Sequence, residues 1–102
     1  MKRKPVLIVS ASQKNKACET MLQKSLCTMS DNNSVVKSQY KLQIHIQNKR
    51  PLPALYNEYL SEKYLNSHDI VLFAHDDVYI DDLGCFDKLY NSIFEYRNNN
   101  VI

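Results

Sequence analysis

Three stretches of the chain carry the hydrophobic pattern of β-strands. Residues 6–9 form an unbroken apolar run that turns polar at residues 10–12. Residues 40–47 alternate apolar and polar side chains, which is typical of an edge strand with one face less buried. Residues 69–78 form a short apolar run that ends in ionisable side chains. Such short, unbroken runs predict strands buried on both faces, as in parallel sheets.

Helical periodicity separates these strands. Pro53 suits the first turn of the second helix, and Asp81 and Asp82 open the third. The segment 30–39 is predicted to be a connecting loop. Apolar residues recur at spacings of three and four, as amphipathic helices require, over residues 15–29, 53–67 and 81–97.

The order of these elements predicts the fold class. Strands and helices alternate, which indicates one α/β domain of three layers, Rossmann-like, with a short parallel sheet and right-handed crossovers. We expect the first strand to lie in the middle of the sheet. Residues 101–102 look like the start of a further strand. An edge left open there would invite self-association.

Composition narrows the functional classes. A chain of 102 residues with 44% hydrophobic and 24% charged residues is an ordinary globular sequence. A net charge of +2 indicates no general affinity for nucleic acid or anionic membranes. No stretch approaches the roughly 18 to 20 apolar residues of a membrane span, and no signal peptide is apparent, so we expect a cytoplasmic protein. The odd number of cysteines without CxxC spacing predicts reduced, buried thiols at Cys18, Cys27 and Cys85.

The single glycine, Gly84, excludes two common nucleotide-binding devices. Neither a phosphate loop of the GxxxxGK type nor a GxGxxG dinucleotide fingerprint can be written with one glycine. If the protein binds a nucleotide, another device holds the phosphates, and a metal ion held by carboxylates is the obvious substitute.

Candidate chemistry concentrates where the third strand ends. Asp76 and Asp77 follow that strand directly, and Asp81 and Asp82 come shortly after. Ligands of open α/β sheets bind at the carboxyl ends of the strands, where carboxylates can hold a divalent cation against a phosphate. Carboxylates so close together repel one another unless a cation is near. The alternative is an acidic turn that caps the next helix, or a solvated acidic loop.

A basic pair follows the second strand. Lys49 and Arg50 are expected to face the same crevice as the acidic cluster, and a diphosphate between them would bridge protein cations and metal. Arg50 is favoured because a guanidinium grips phosphate with two hydrogen bonds. A solvated loop made rigid by Pro51 and Pro53 is an equal alternative. His45 lies on the polar face of the second strand and is predicted to be a surface histidine.

The sequence around the acidic pair resembles a known family. Residues 71–80, Val-Leu-Phe-Ala-His-Asp-Asp-Val-Tyr-Ile, preceded by Leu-Tyr-Asn at 55–57, look like the glycosyltransferase-like family named after a streptomycin-biosynthesis protein. That family is a branch of the family 2 glycosyltransferases with the GT-A fold. There a strand ends in a His-x-Asp-Val motif, and a Tyr-Asn pair lies on the preceding helix. His75 and Asp77 match the motif, Asp76 fills its variable place, and Asn57 matches the asparagine.

The resemblance covers roughly residues 5–102 and is most specific over residues 56–80. It implies the nucleotide-sugar-binding half of a GT-A enzyme, which transfers a sugar from a nucleoside diphosphate to the hydroxyl of a glycan or other acceptor. Full members are longer, so the resemblance implies a truncated domain without its acceptor-binding half. We therefore expect donor binding without turnover.

The resemblance also implies roles for individual residues. Asp77 would be the principal ligand of a divalent ion, with Asp76 or His75 assisting. A neutral imidazole is a poor ligand for Mg²⁺ but an acceptable one for Mn²⁺, so the histidine leaves open both the choice between these ions and the dependence on a metal. His75 could instead donate a hydrogen bond to phosphate. Ser10 and Ser12, in the loop after the first strand, would touch the nucleotide, or serve only as turn and cap residues.

Readings from other functional classes remain open. A non-catalytic nucleotide-sugar-binding module would differ from the enzyme only in lacking a general base, and the sequence indicates no catalytic base. An inactive structural fragment would bind nothing. A receiver-type signalling domain is disfavoured, because its acidic pair follows the first strand, where residues 10–12 here read Ser-Ala-Ser.

Overall fold

A small parallel sheet with helices on both faces forms the protein. The structure is a computed structural model that describes residues 4–61 and 70–99. In chain order the elements are β1 (Val6–Ala11), a 3-10 turn (Ala17–Glu19), α1 (Met21–Ser30), α2 (Ser34–Ser38), β2 (Tyr40–His45), α3 (Leu52–Tyr59), β3 (Val71–Phe73) and α4 (Cys85–Asn99).

The sheet has the strand order β2-β1-β3, and both pairings are parallel. β1 pairs with β2 along six residues, from Val6 opposite Tyr40 to Ala11 opposite His45. β3 pairs with β1 over only three residues, centred on Leu72 opposite Ile8. Among the strands that the structure describes, the expected central position of β1 and the expected edge position of β2 are therefore confirmed.

Alternate residues of β1 belong to two different cores. Val6 and Ile8 pack on one face with α1, α2 and α4, while Leu7 and Val9 pack on the other face with α3. Since successive side chains of a strand point to opposite faces, this burial explains the unbroken apolar run. The buried helical partners are Leu22, Leu26, Met29, Val36 and Phe86 on the first face, and Leu55 and Tyr59 on the second.

The prediction that the third strand is buried on both faces was wrong. Ile70 is buried, but Val71, Leu72 and Phe73 are only half-buried. The physical reason is position. In the described part of the chain β3 has one neighbouring strand, and α3 is the only helix packed on the face that Val71 and Phe73 share.

Local capping sets where the first two helices begin. α1 starts at Met21, later than its apolar period predicts, because the Thr20 hydroxyl accepts a hydrogen bond from the Gln23 amide at 3.2 Å. α2 lies where a loop was predicted. Its cap is Asn33, whose side chain accepts a hydrogen bond from the Val36 amide at 3.2 Å.

The last two helices also differ from their predicted limits. α3 ends at Tyr59, and residues 62–67 of the predicted helix lie outside the described residues, as do 101–102. α4 begins at Cys85 rather than at the aspartates before it, and it runs to Asn99. Within residues 4–61 and 70–99, no helix has the length and apolarity that crossing a bilayer needs.

The cysteines are less buried than predicted. Cys18 and Cys27 are exposed, and Cys85 is half-buried, so the prediction of buried thiols was wrong for the first two. Cys18 precedes α1 in the 3-10 turn, where the apolar period of the helix does not apply. Partial burial, reinforced by the neighbouring Asp82 carboxylate, raises the pKa of the Cys85 thiol.

Asp82 stabilises the start of α4 through two hydrogen bonds. Its Oδ1 accepts a hydrogen bond from the Gly84 amide at 2.9 Å, and its Oδ2 accepts one from Lys88 Nζ at 2.5 Å. The Lys88 hydrogen bond, followed by the one from Gly84, lowers the pKa of the Asp82 carboxyl below its ordinary 3.8. A carboxyl with a lowered folded-state pKa contributes stability at pH values above its ordinary pKa, and this contribution is lost as the pH falls through the folded-state pKa.

We expect Asp82→Asn to lower the thermal unfolding midpoint slightly at neutral pH, since exposed ion pairs contribute little. The difference from the unmodified chain should narrow and vanish as the pH falls below 3.8. This difference in midpoint is measured by thermal unfolding, followed by circular dichroism, at a series of pH values from about 7 to about 2. A midpoint difference that stays constant over this range would show that the charge of Asp82 has no part in stability.

Candidate functional site

The carboxyl ends of β1 and β3 lie side by side, and successive connections between the strands pass on opposite faces of the sheet. The connection from β1 to β2 packs on one face through α1 and α2, whereas the connection from β2 to β3 packs on the other face through α3. In open α/β sheets such a change of face creates a crevice at the carboxyl ends of the two strands, and ligands bind there.

One hydrogen bond joins the two sides of this crevice. Ser12 Oγ donates to Asp76 Oδ2 at 2.6 Å, and Ser12 is only 3% exposed. The backbone of Asp76 is held as well, because its carbonyl oxygen accepts a hydrogen bond from the Leu22 amide in the first turn of α1. Asp76 is therefore fixed at both its side chain and its backbone, against the loop after β1 and against α1.

The residues on either side of Asp76 face solvent. His75 and Asp77 are exposed, and the turn that carries them is closed by a hydrogen bond from the Val78 amide to the His75 carbonyl at 3.3 Å. Neither side chain has a hydrogen bond or ion pair within the described part of the chain. An anchored turn thus presents one imidazole and one carboxylate that are available to a ligand.

The structure divides the four clustered carboxylates by role. Asp82 pairs with Lys88 at the start of α4, and Asp76 accepts the Ser12 hydrogen bond. Asp77 and Asp81 are exposed. Among residues 4–61 and 70–99 no three His, Cys, Asp or Glu side chains are grouped so that they could hold a metal ion. A divalent ion at Asp77 would therefore need ligand or water oxygens to complete its coordination.

Arg50 is engaged elsewhere on the molecule. Its guanidinium forms an ion pair with Glu58 at 2.8 Å and a longer hydrogen bond to the Ala54 carbonyl at 3.5 Å, both on α3. Lys49 and Asn57 are exposed. α3 covers one face of the sheet and α1 covers the other. Asp76 contacts α1, through the hydrogen bond from the Leu22 amide. The predicted diphosphate site, formed by Lys49, Arg50 and Asn57 with the turn of residues 75–78 (the acidic turn), stays a prediction. The Arg50 guanidinium is already paired with Glu58.

Ser10 and His45 are more enclosed than the sequence indicates. Ser10 is fully buried, and its Oγ has no hydrogen-bond partner among the described residues. A ligand would reach this hydroxyl only if neighbouring side chains moved. His45 was predicted to lie on the surface, but it is half-buried, and its Nε2 lies 2.6 Å from the Tyr59 hydroxyl. That prediction was wrong because α3 covers this end of β2.

Two basic residues that were not predicted as site residues also lie at this end of the sheet. Lys14 and Lys16 are exposed in the loop of residues 12–16, which is hydrogen-bonded to the loop of residues 46–50. We call these two segments the paired loops. The only sequence signal is that side-chain amides, which can both donate and accept hydrogen bonds, occur in both segments.

Comparisons of the chain with models of protein families, with curated proteins and with solved structures find no match.

Proposed function

We propose that this protein binds a nucleoside-diphosphate sugar at the crevice between β1 and β3, as the donor-binding part of a glycosyltransferase-like protein. The observation that carries the proposal is the hydrogen bond from Ser12 to Asp76. It holds the acidic turn against the loop after β1, at a place in the described sheet where the strand order favours ligand binding. Transfer of the sugar to an acceptor hydroxyl is the activity that the family resemblance implies.

The acidic turn would offer two ligands to a divalent ion. Asp77 would supply a carboxylate oxygen and His75 an imidazole nitrogen, a pair that suits Mn²⁺ better than Mg²⁺, and water and phosphate oxygens would complete the coordination. Asp76 is a positioning residue in this proposal, because Ser12 and Leu22 already hold it. When bound, the ion would neutralise the diphosphate leaving group as a Lewis acid.

Paramagnetic broadening in an NMR titration tests where the ion binds. Mn²⁺ added in small amounts to the ¹⁵N-labelled chain with UDP or GDP should first broaden the amide signals of residues 75–77 and of Ser12. The same additions without nucleotide should broaden these signals less, because phosphate oxygens complete the coordination. Mg²⁺ provides the diamagnetic control. First broadening at another carboxylate, such as Asp31, would place the ion elsewhere and refute the proposed site.

A further inference from the structure

The paired loops carry three exposed lysines. Lys14, Lys16 and Lys49 are exposed, and none of them forms an ion pair within the described part of the chain. The fourth cation of these loops, Arg50, is paired with Glu58. Like charges on neighbouring segments repel one another unless an anion lies between them, so this surface is suited to an anionic ligand.

Hydrogen bonds hold the paired loops together. The Gln47 amide donates to the Lys14 carbonyl at 3.0 Å, and the Asn48 amide donates to the Ser12 carbonyl at 2.9 Å. Side chains add a bond from Gln13 Nε2 to the Asn48 carbonyl at 2.7 Å and one from Gln47 Nε2 to Asn15 Oδ1 at 2.8 Å. The backbones that carry the lysines are therefore adjacent and constrained, which lowers the entropy lost when a ligand binds.

Gln47 marks the strained point of this arrangement. Its φ of 46° lies in the left-handed region, which residues other than glycine seldom adopt. Asn48 closes the following turn, since its side chain donates to the Arg50 carbonyl at 2.9 Å. Lys49 follows Gln47 by two residues, and the Gln47 amide donates to the Lys14 carbonyl. Strain of this kind is commonly retained where the backbone must present a ligand-binding group.

Ser12 connects this positive surface to the acidic turn. Its carbonyl accepts the Asn48 hydrogen bond, while its hydroxyl donates to Asp76. The carboxyl end of the sheet is thus positive over β1 and β2 and negative beyond β3. A diphosphate accompanied by a divalent ion has the complementary distribution, with phosphate oxygens for the lysines and the cation for Asp77.

We infer that Lys14, Lys16 and Lys49 bind the diphosphate group of the ligand and that Arg50 does not. Lysine ammonium groups bind phosphate as compact charges and need no fixed planar geometry. Arg50 is left out of the inferred contact because its guanidinium is already paired with Glu58. Since an exposed ion pair of this kind contributes little, the Arg50→Gln variant tests the exclusion directly. The inference that the lysines bind a diphosphate group depends only on the paired loops. The inference that this group belongs to a nucleoside-diphosphate sugar rests on the proposed function.

Binding of inorganic diphosphate without metal tests this inference. Isothermal titration calorimetry at low ionic strength compares the unmodified chain with the triple variant Lys14→Gln, Lys16→Gln, Lys49→Gln. The control triple variant Lys24→Gln, Lys37→Gln, Lys41→Gln removes the same charge from exposed positions elsewhere. We expect a loss of about tenfold or more in affinity for the first triple variant. The control and Arg50→Gln should bind within about twofold of the unmodified chain.

Several outcomes would overturn the inference: no binding of diphosphate by the unmodified chain, an equal loss in the control triple variant, or a tenfold loss in Arg50→Gln. The proposed function is tested separately with UDP and GDP in the presence of Mn²⁺. If the chain binds inorganic diphosphate through the lysines but binds no nucleotide, the proposed function fails and the lysine surface stands. If the lysine variant binds the nucleotides normally, the lysine inference fails and the proposed function stands.

Discussion

Replacing Phe86 with alanine should lower the free energy of unfolding by about 3–5 kcal/mol. Phe86 is 2% exposed and is the buried anchor of α4 in the core on the α1 face of the sheet. Its ring stacks on Tyr40 with centroids 5.5 Å apart and planes 19° apart. The ring also lines an open surface pocket of about 320 Å³, and alanine would remove the ring's buried apolar contacts beneath that pocket.

A loss of this size is large beside the total stability of a domain, about 5–15 kcal/mol. Urea unfolding followed by circular dichroism measures the change. Leu83→Ala is the matched control, because Leu83 precedes the same helix but is 57% exposed, and we expect it to stay within about 0.5 kcal/mol of the unmodified chain. A Phe86→Ala variant as stable as that control would show that α4 is not docked through Phe86.

Asp77→Asn should weaken Mn²⁺-dependent binding of a nucleoside diphosphate at least about tenfold, equivalent to about 1.4 kcal/mol. Asparagine has the shape of aspartate and is equally compatible with a turn, so the fold should be retained. The change removes the exposed negative charge at the centre of the acidic turn while leaving the Ser12 to Asp76 hydrogen bond in place. The expected loss therefore reports on the ion and not on the anchoring of the turn.

Asp81→Asn is the control for this substitution. Asp81 is an exposed carboxylate of the same loop, four residues further on, and its loss changes the net charge equally. Calorimetry with UDP and Mn²⁺ should show unchanged binding in Asp81→Asn. Equal losses in both variants would indicate general electrostatic attraction to the loop, and unchanged binding in both would remove Asp77 from the site.

The positions of the strands were largely predictable from the sequence, because a strand's place in the sheet determines which of its side chains are buried and therefore apolar. The apolar run from Val6 to Val9 matches a strand covered on both faces, and the alternation that begins at Tyr40 matches an edge strand. β3 was misjudged because an apolar run does not reveal how many neighbours a strand has. Val71, Leu72 and Phe73 are half-buried at an edge of the described sheet.

Helix limits were predicted less well, since they depend on single hydrogen bonds between a side chain and the backbone. The Thr20 and Asn33 caps determine where α1 and α2 start. Asn33 lies in a segment rich in asparagine, and such a composition predicts a loop. Its capping role becomes evident only because Val35 and Val36 follow it and Val36 is buried in the core.

The site was predictable in part. The rule that ligands bind at the carboxyl ends of parallel strands directed attention to Ser12 and to Asp76-Asp77, and the structure joins Ser12 to Asp76 by a hydrogen bond. That Ser12 donates to Asp76, and that Arg50 is occupied by Glu58, are tertiary contacts without a sequence signature. The pairing of the loops that carry Lys14 and Lys49 is another such contact, and it brings together charges that are distant in the sequence.

The affinity of the unmodified chain for UDP and GDP, measured by calorimetry with Mn²⁺ and again after the metal is removed with EDTA, tests the proposed site most directly. We expect one nucleotide to bind per chain, and we expect removal of the metal to weaken binding about tenfold or more. Equal affinity with and without the metal, or no binding of either nucleotide, would contradict the assignment of a metal-assisted diphosphate site to the crevice between β1 and β3.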